Sequence, residues 1–391
     1  MPALLSQTGA FTDVRKLAPA PGLFPYELLI SFWSDGADKS RYVAIPQAKV
    51  AFSKEGEWGF PPGTVFVKTF ELPAKRLETR LLVLDRNGGV YGVTYKWRAD
   101  LSDADLLAPA GLTEEVAVRN ADDTHSQTWY YPSREDCLVC HNSHTKGVLG
   151  PKTRQLNREL RYPDGVVENQ LRRWIRLGLF SPDVQEKDIP SFAALARPND
   201  TNRSIEERAR SWLDVNCAHC HRPGGTVANF DARYETPLVA QRLIDGPVLI
   251  DQGVDRARVI SPHDPWRSMA LLRIDTNDDI RMPPLARHVI DATGVAVIRQ
   301  WILSLPGRDV LPPPTMQPGG GNFNGPVTVS LASSEPGADI RYTLDGSAPG
   351  PSDAHYEGPI RVEGPAVLRA RVYKEGLTRS VIAQQTYVID R

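Results

Sequence analysis

The chain has 391 residues, with 46 lysines and arginines against 47 aspartates and glutamates, and its formal net charge at pH 7 is −1. So balanced a charge does not indicate a protein that binds nucleic acid or a membrane surface. A transmembrane helix needs a run of about 18 or more apolar residues, and the sequence has none. The length allows about two to four domains of roughly 100–200 residues each.

Residues 1–132 are predicted to form a β-rich N-terminal domain, arranged as a β-sandwich or a jelly-roll-like fold. Alternating apolar side chains predict three strands, at 65–72, 77–84 and 90–97. The residues Asn87-Gly88-Gly89 between the last two are typical of a hairpin turn. The word Trp33-Ser34-Asp35-Gly36 is interpreted as a turn that packs its aromatic side chain.

The next segment, 133–203, contains the word Cys137-Leu138-Val139-Cys140-His141. A helix is predicted at 166–177, where the apolar residues share one side and the arginines the other. Prolines then interrupt helix formation at Pro182, Pro190 and Pro198. The segment is therefore interpreted as an incomplete lobe around the cysteine word, followed by a linker.

A second word of the same form, Cys217-Ala218-His219-Cys220-His221, lies in the segment 204–306. A helix is predicted directly before it, at 205–215. Ser204 and Glu207 have the spacing of a capping box at the start of that helix.

Both words have the form C-x-x-C-H, which is the form of a c-type haem attachment site. The two cysteines bond through thioethers to the vinyl groups of one porphyrin, and the adjacent histidine ligates its iron. The sequence therefore predicts two covalently bound haem c groups. The predicted anchors are Cys137, Cys140, Cys217 and Cys220, and the predicted proximal iron ligands are His141 and His221.

Other chemistries also use paired cysteines. Zinc binds to paired C-x-x-C units, but the separation between these two pairs is longer than in the usual zinc ribbons. A redox-active C-x-x-C needs one pair and no following histidine. Structural disulfides do not require a histidine directly after the second cysteine of each pair.

Met282 is the predicted distal ligand of the second haem. A thioether opposite an imidazole raises the reduction potential of a haem, and the two prolines of Arg281-Met282-Pro283-Pro284 stiffen the loop. A buried methionine of the core is the alternative interpretation. A further helix is predicted at 293–305. In its order of helix, haem word, methionine loop and helix, the segment 204–306 resembles a class I cytochrome c domain.

A wider resemblance covers about residues 10–306. The words Val259-Ile260-Ser261-Pro262 and Tyr130-Tyr131-Pro132-Ser133-Arg134 are among those that resemble a family of bacterial di-haem c-type cytochromes. Some members of that family are joined to PQQ-dependent sugar dehydrogenases or lie beside them. The resemblance therefore implies a redox partner, with a PQQ-dependent dehydrogenase as a candidate electron donor.

The sequence does not reveal a sixth ligand for the first haem. His144 follows His141 too closely to reach the opposite face of the same porphyrin, whereas His125 precedes the first word and is our candidate. A lone histidine is more often an ordinary polar residue than an iron ligand. Alternatively, the iron of the first haem could lack a sixth ligand and be open to peroxide. Residues beyond the second word are further alternatives if the haems pack closely, namely His263, His288 and Met269.

The charge is uneven near the first word. Between 134 and 178 there are nine lysines and arginines against five aspartates and glutamates. This basic bias could guide an acidic partner or hold haem propionates, although an ordinary solvated surface is the favoured explanation.

The C-terminal part begins with a linker at 307–322, which contains Pro312-Pro313-Pro314 and Gly319-Gly320-Gly321. Residues 323–391 are predicted to be all β. Their word Ile340-Arg341-Tyr342-Thr343-Leu344-Asp345-Gly346-Ser347 resembles the chitobiase/β-hexosaminidase C-terminal domain. The resemblance implies an immunoglobulin-like sandwich, for which polysaccharide binding is a possible role.

The fold class predicted for the whole chain is multidomain α+β. It combines the β-rich N-terminal domain, an α-helical cytochrome c-like haem region and an immunoglobulin-like C-terminal β-sandwich. The predicted function is the relay of electrons by two haems outside the cytoplasmic membrane, where haem c is attached. Two alternatives remain open: a di-haem peroxidase-like enzyme with an open first haem, and a β-domain binding or scaffold module with accessory haems. The predicted location is periplasmic or exported, although the first residues lack the features of a signal peptide.

Overall fold

The computed structural model describes residues 1–119, 124–227, 229–285 and 287–390. The chain forms two compact units. The first unit comprises Met1–Ala240 and Ile274–Val297, and the second comprises Gln241–Arg273 and Ile298–Arg391. The segment 204–306, predicted as one cytochrome c-like domain, is thus divided between the two units.

Strands are the commonest elements. In chain order they are β1 (Phe11–Asp13), β2 (Ala18–Pro19), β3 (Leu23–Pro25), β4 (Asp38–Ala44), β5 (Val50–Ala51), β6 (Val65–Leu72), β7 (Lys75–Leu84), β8 (Val90–Trp97), β9 (Ala104–Leu106), β10 (Leu112–Arg119), β11 (Thr124–Tyr131), β12 (Glu159–Arg161), β13 (Val167–Asn169), β14 (Phe180–Ser181), β15 (Thr315–Gln317), β16 (Gly321–Phe323), β17 (Val327–Ala332), β18 (Asp339–Thr343), β19 (Ala354–His355), β20 (Ile360–Val362), β21 (Ala366–Tyr373) and β22 (Ala383–Ile389).

The helices are fewer in the described part of the chain. The α-helices are α1 (Arg134–Cys140), α2 (Thr153–Leu156), α3 (Gln170–Arg176), α4 (Ile205–Asn216), α5 (Met269–Ile274) and α6 (Ala292–Ser304). The 3-10 helices are Leu5–Thr8, Ser143–Thr145, Glu186–Ser191 and Leu238–Ala240. No helix in the described part of the chain has the length and apolar character to span a membrane. The protein is therefore a mixed α+β protein, as predicted.

The largest sheet of the first unit has the strand order β3-β4-β6-β7-β8-β9, and neighbouring strands in it are antiparallel. The predicted strands at 65–72 and 90–97 coincide with β6 and β8, and β7 begins two residues before its predicted start. The predicted sandwich differs from this arrangement. Among the described residues of the first unit, the other sheets have two strands each, and helices and loops cover the large sheet instead.

The two faces of this sheet are covered by different groups of residues, because successive side chains of a strand point to opposite faces. On one face Val67, Leu81 and Tyr95 pack with Leu5 and Phe11 of the N-terminal segment. On the other face, an aromatic cluster covers part of the sheet. It includes Tyr26, Trp58, Phe60, Phe66, Trp174 and Phe180. The rest of that second face borders a cavity.

The helices that flank the two cysteine words begin where side chains cap them. Ser133 accepts a hydrogen bond from the backbone of Asp136 at the start of α1, and Ser204 forms the predicted capping box with Glu207 at the start of α4. Helix α3 is shorter than the predicted 166–177, because Val167–Asn169 forms β13 and the Asn169 side chain caps the helix.

The second unit contains a C-terminal β-sheet domain. Strands β15, β17 and β20 form one sheet, and β16, β22, β21, β18 and β19 form another. Side chains of both sheets meet in one core, which includes Val329, Ile360, Leu368, Val372 and Tyr387. This arrangement is consistent with the predicted immunoglobulin-like sandwich. Within the predicted linker at 307–322 lie β15 and the first residues of β16.

Helices α4 and α6 approach each other closely at one glycine of the first unit. A Cβ atom at Gly294 would collide with the indole of Trp212, whose Nε1 donates a hydrogen bond of 2.7 Å to the Asp291 carboxylate. The missing side chain at this position therefore allows the two helices to pack.

We expect Gly294→Ala to lower the free energy of unfolding by about 1–3 kcal/mol, because the added methyl group overpacks the contact with Trp212. The measurement is a urea titration followed by circular dichroism. Gln300→Ala, at an exposed position of α6, is the matched control and should leave the transition almost unchanged. Equal stability of the Gly294→Ala variant and the parent protein would contradict this account of the crossing.

Candidate functional site

Both cysteine words lie on one cavity of the first unit. The four cysteines line it together with His141, His221 and Met282. The cavity contains about 2040 Å³ of space that protein atoms do not fill, part of it at an open mouth. Segments far apart in the sequence thus contribute the predicted haem residues to one place.

The first word follows directly from the short helix α1. Cys137 and Cys140 belong to its last turn, and the backbone N–H of His141 donates to the Cys137 carbonyl at 2.9 Å. The Nδ1 atom of the His141 ring lies 3.0 Å from the carbonyl oxygen of Gly147. Since a carbonyl can only accept, Nδ1 carries the hydrogen and Nε2 keeps its lone pair. This orientation is typical of an imidazole that ligates a metal.

Burial keeps the side chains of the first word in their neutral forms. It lowers the pKa of His141 to about 3, with a smaller contribution from the positive charge of Lys68. Burial, with a smaller contribution from the nearby thiol of Cys220, raises the pKa of Cys140 to about 12. A neutral imidazole is the form that can donate its lone pair to iron.

The second word follows from the longer helix α4. Its backbone continues the helical hydrogen-bond pattern. The N–H of Cys217 donates to the Leu213 carbonyl at 2.8 Å, and the N–H of His221 donates to the Cys217 carbonyl at 2.9 Å. The His221 ring stacks on Phe230, with 4.2 Å between the ring centroids and 14° between the planes. Burial raises the pKa of Cys217 to about 12.

The two words are close neighbours. Cys220 lies close enough to Cys140 to raise the pKa of its thiol, and the ring of His144 lies 3.0 Å from the position that a Cβ atom of Gly224 would take. The sequence-based interpretation placed the words in separate lobes, since only long-range packing brings them together.

The segment that carries Met282 is attached to the sheet through the Trp33-Ser34-Asp35-Gly36 turn. The buried carboxylate of Asp35 accepts hydrogen bonds of 2.9 Å from the backbone N–H groups of both His288 and Val289. The indole of Trp33 donates a bond of 2.8 Å to the Val289 carbonyl. The turn was predicted to pack an aromatic side chain, and it also positions the chain beyond the methionine.

The candidates for a sixth ligand of the first haem do not all lie at the cavity. His125 has an exposed side chain on β11 and is not among the residues that line the cavity, and His144 is exposed as well. His263 lies in the second unit, where its ring is 2.9 Å from the Asp309 carboxylate. His219, which the sequence reasoning passed over, is buried in the cavity wall, and its ring packs edge-on against Phe32.

Basic side chains of the large sheet also line the cavity, and the sequence analysis did not identify them. They are Lys39 and Arg41 on β4, Lys68 on β6 and Arg80 on β7. Burial, together with the neighbouring charges of Arg41 and Arg80, lowers the pKa of Lys68 to about 7. The basic bias noted between 134 and 178 gave no indication of this group, because it belongs to the strands of the N-terminal sheet.

The donor set of the cavity fits two haem c groups. Each haem c needs one cysteine pair and an adjacent histidine. Its wall supplies two cysteine pairs, an imidazole beside each pair, a thioether and several cations for the porphyrin carboxylates.

All four cysteines are unbonded to one another. Where the structure describes the chain, no three side chains of histidine, cysteine, aspartate or glutamate are grouped as ligands of a metal ion.

Comparison with known proteins identifies one family. Residues 318–384 match the chitobiase/beta-hexosaminidase C-terminal domain, which agrees with the resemblance seen in the sequence of the C-terminal sandwich. Searches of curated proteins and of solved structures found no match to the chain.

We expect Asp35→Ala to lower the free energy of unfolding by about 1.5–3 kcal/mol, because the part-buried N–H groups of His288 and Val289 lose a charged acceptor. Urea titration of the mature protein measures the change. Asp38→Ala removes an exposed carboxylate from the same part of the chain and should have little effect. The anchoring role of Asp35 would be refuted if the two variants were equally stable.

Proposed function

We propose that the chain is a di-haem c-type cytochrome that relays electrons outside the cytoplasmic membrane. The observation that supports this most strongly is the single cavity lined by both C-x-x-C-H words and Met282. When bound, haem supplies reversible one-electron chemistry at its iron. A carrier of single electrons needs no acid–base pair, and its protein part attaches, ligates and shields the cofactor.

The residues of the cavity have distinct roles in this proposal. Each cysteine thiol adds across one vinyl group, with sulfur on one carbon and hydrogen on the other, so attachment needs no oxidant. His141 and His221 are the proximal ligands, and Met282 is the distal ligand of the second haem. The hydrogen bond from His141 to Gly147 holds the first imidazole in the tautomer that ligates through Nε2. His125 receives no role, since its side chain is exposed outside the cavity wall.

The proposed partners come from the resemblance of residues 10–306 to bacterial di-haem cytochromes. It supports a dehydrogenase as electron donor, with the PQQ-dependent enzymes as first candidates. A periplasmic or exported location follows from the chemistry, because haem c is attached outside the cytoplasmic membrane. The C-terminal sandwich is an appended domain in this proposal. Its fold does not by itself identify a ligand, and polysaccharide retention by the full chain would reveal one.

We expect the mature protein to carry two covalent haems, counted by a pyridine haemochrome spectrum and by intact mass. The double variant Cys137→Ser, Cys140→Ser and the double variant Cys217→Ser, Cys220→Ser should each lose one haem, because each pair anchors its own porphyrin. These two variants control each other. A parent protein that has the mass of its amino acids alone would refute the proposal.

We expect Met282→Ala to lose the absorption band that sulfur ligation gives to ferric haem, and to lower the midpoint potential of one haem, because the thioether raises that potential. Optical redox titration measures both effects. Met316→Ala, on β15 of the second unit, is the control and should change neither. Retention of the sulfur band in Met282→Ala would show that another residue is the distal ligand.

The peroxidase-like alternative predicts a different spectrum. Two low-spin six-coordinate haems favour electron relay, whereas one high-spin haem that reacts with peroxide favours an enzyme. Electron paramagnetic resonance of the ferric protein distinguishes the two.

A further inference from the structure

Three cations of the cavity wall form a straight row across the large sheet. In the pairing of β4 with β6, Arg41 lies directly opposite Lys68. In the pairing of β6 with β7, Lys68 lies directly opposite Arg80. Lys39 is two residues from Arg41 on β4 and therefore points to the same face. All four side chains line the cavity.

This row is unfavourable for the fold taken alone. Like charges that lie directly opposite each other destabilise a pair of strands, and here Arg41 is buried while Lys68 and Arg80 are half-buried. Arg80 has a partner, since its Nε donates to Glu78 at 2.9 Å. Among the described residues, no carboxylate forms an ion pair with Lys39, Arg41 or Lys68. Buried charges are retained in proteins when they are paired, so this wall is suited to an anionic ligand.

The remaining polar contacts of the row are to neutral groups. The guanidinium of Arg41 donates to the Lys39 carbonyl at 3.1 Å and to the hydroxyl of Ser31. The Lys39 ammonium donates to the Phe32 carbonyl. These contacts orient the side chains and bring no negative charge to them.

The position of the row relates it to the first cysteine word. A second row lies beside the cation row on the same face of the sheet, two residues away along each strand. It is apolar and consists of Phe66, Leu82 and Gly92, in which Phe66 pairs with Leu82 and Leu82 pairs with Gly92. A Cβ atom at Gly92 would lie 2.6 Å from the Cys137 sulfur, so the first word rests directly on this apolar row. Adjacent rows on one face are about 7 Å apart. The cavity wall therefore changes from apolar beside Cys137 to cationic one row further on, a distance that a single porphyrin spans.

We infer that the cation row of Arg41, Lys68 and Arg80, together with Lys39, binds the carboxylates of the porphyrin attached at Cys137 and Cys140. This inference rests on the proposed function and specifies how the first site holds its cofactor. The apolar row faces the hydrocarbon part of the ring, and the cations face its two propionates. The arginines can donate two parallel hydrogen bonds to a carboxylate, whereas Lys68 acts as a point charge.

The test compares Lys68→Met and Arg41→Met with Lys187→Met in the haem-loaded full-length protein. Lys187 is exposed in the 3-10 helix Glu186–Ser191 and makes a matched control. We expect both cavity variants to keep two haems but to shift the resonance Raman bands of propionate bending. The midpoint potential of one haem should fall, because a positive charge that favours the reduced iron is lost. Lys68→Arg keeps the charge and should restore the parent potential.

The outcomes separate this inference from the proposal on which it rests. A parent protein without covalent haem refutes both. Two haems with unchanged propionate bands and unchanged potentials in Lys68→Met and Arg41→Met overturn the inference alone. Unchanged propionate bands with a potential that depends on added inorganic phosphate also overturn it, since the row would then bind a free anion. If a methionine variant does not fold, Lys68→Gln provides the same comparison with a polar side chain.

Discussion

The pairing register of the six-stranded sheet determines which side chains reach the cavity of the first unit. A shift of one residue in any strand would turn its inward side chains to the opposite face. Such a shift in β4, β6 or β7 would turn Arg41, Lys68 or Arg80, respectively, into the apolar core formed with Leu5 and Phe11. The burial of that core therefore holds the cations on the cavity side. The packing of the apolar face thus determines which charged side chains line the cavity on the opposite face.

Local patterns in the sequence predicted the parts of the fold that depend on nearby residues. Strands β6 and β8 and helices α4 and α6 follow from apolar periodicity and from the capping residue Ser204. The C-x-x-C-H words drew attention to four cysteines and two histidines because their spacing is the one expected for thioether attachment, and all six residues line the cavity. These features need no knowledge of how distant segments meet.

The rest of the candidate site depends on contacts between distant segments. The meeting of the two cysteine words, the anchoring of Val289 by Asp35 and Trp33, and the alignment of Lys68 with its neighbours all join residues far apart in the chain. The cations were not recognised because alternating charged residues in a strand normally indicate a solvated face. In this sheet the charged face borders the cavity.

The proximity of the two words has a consequence for the proposed relay. In a buried environment charges interact more strongly than in water, and Cys220 lies close enough to Cys140 to raise the pKa of its thiol. Reduction of one iron would remove a positive charge beside the other and make its reduction less favourable. The two carriers would therefore not titrate independently. In the proposed relay, Met282 at the second site and the cation row at the first would each favour a reduced iron. The direction of electron flow would then depend on which of the two effects is larger.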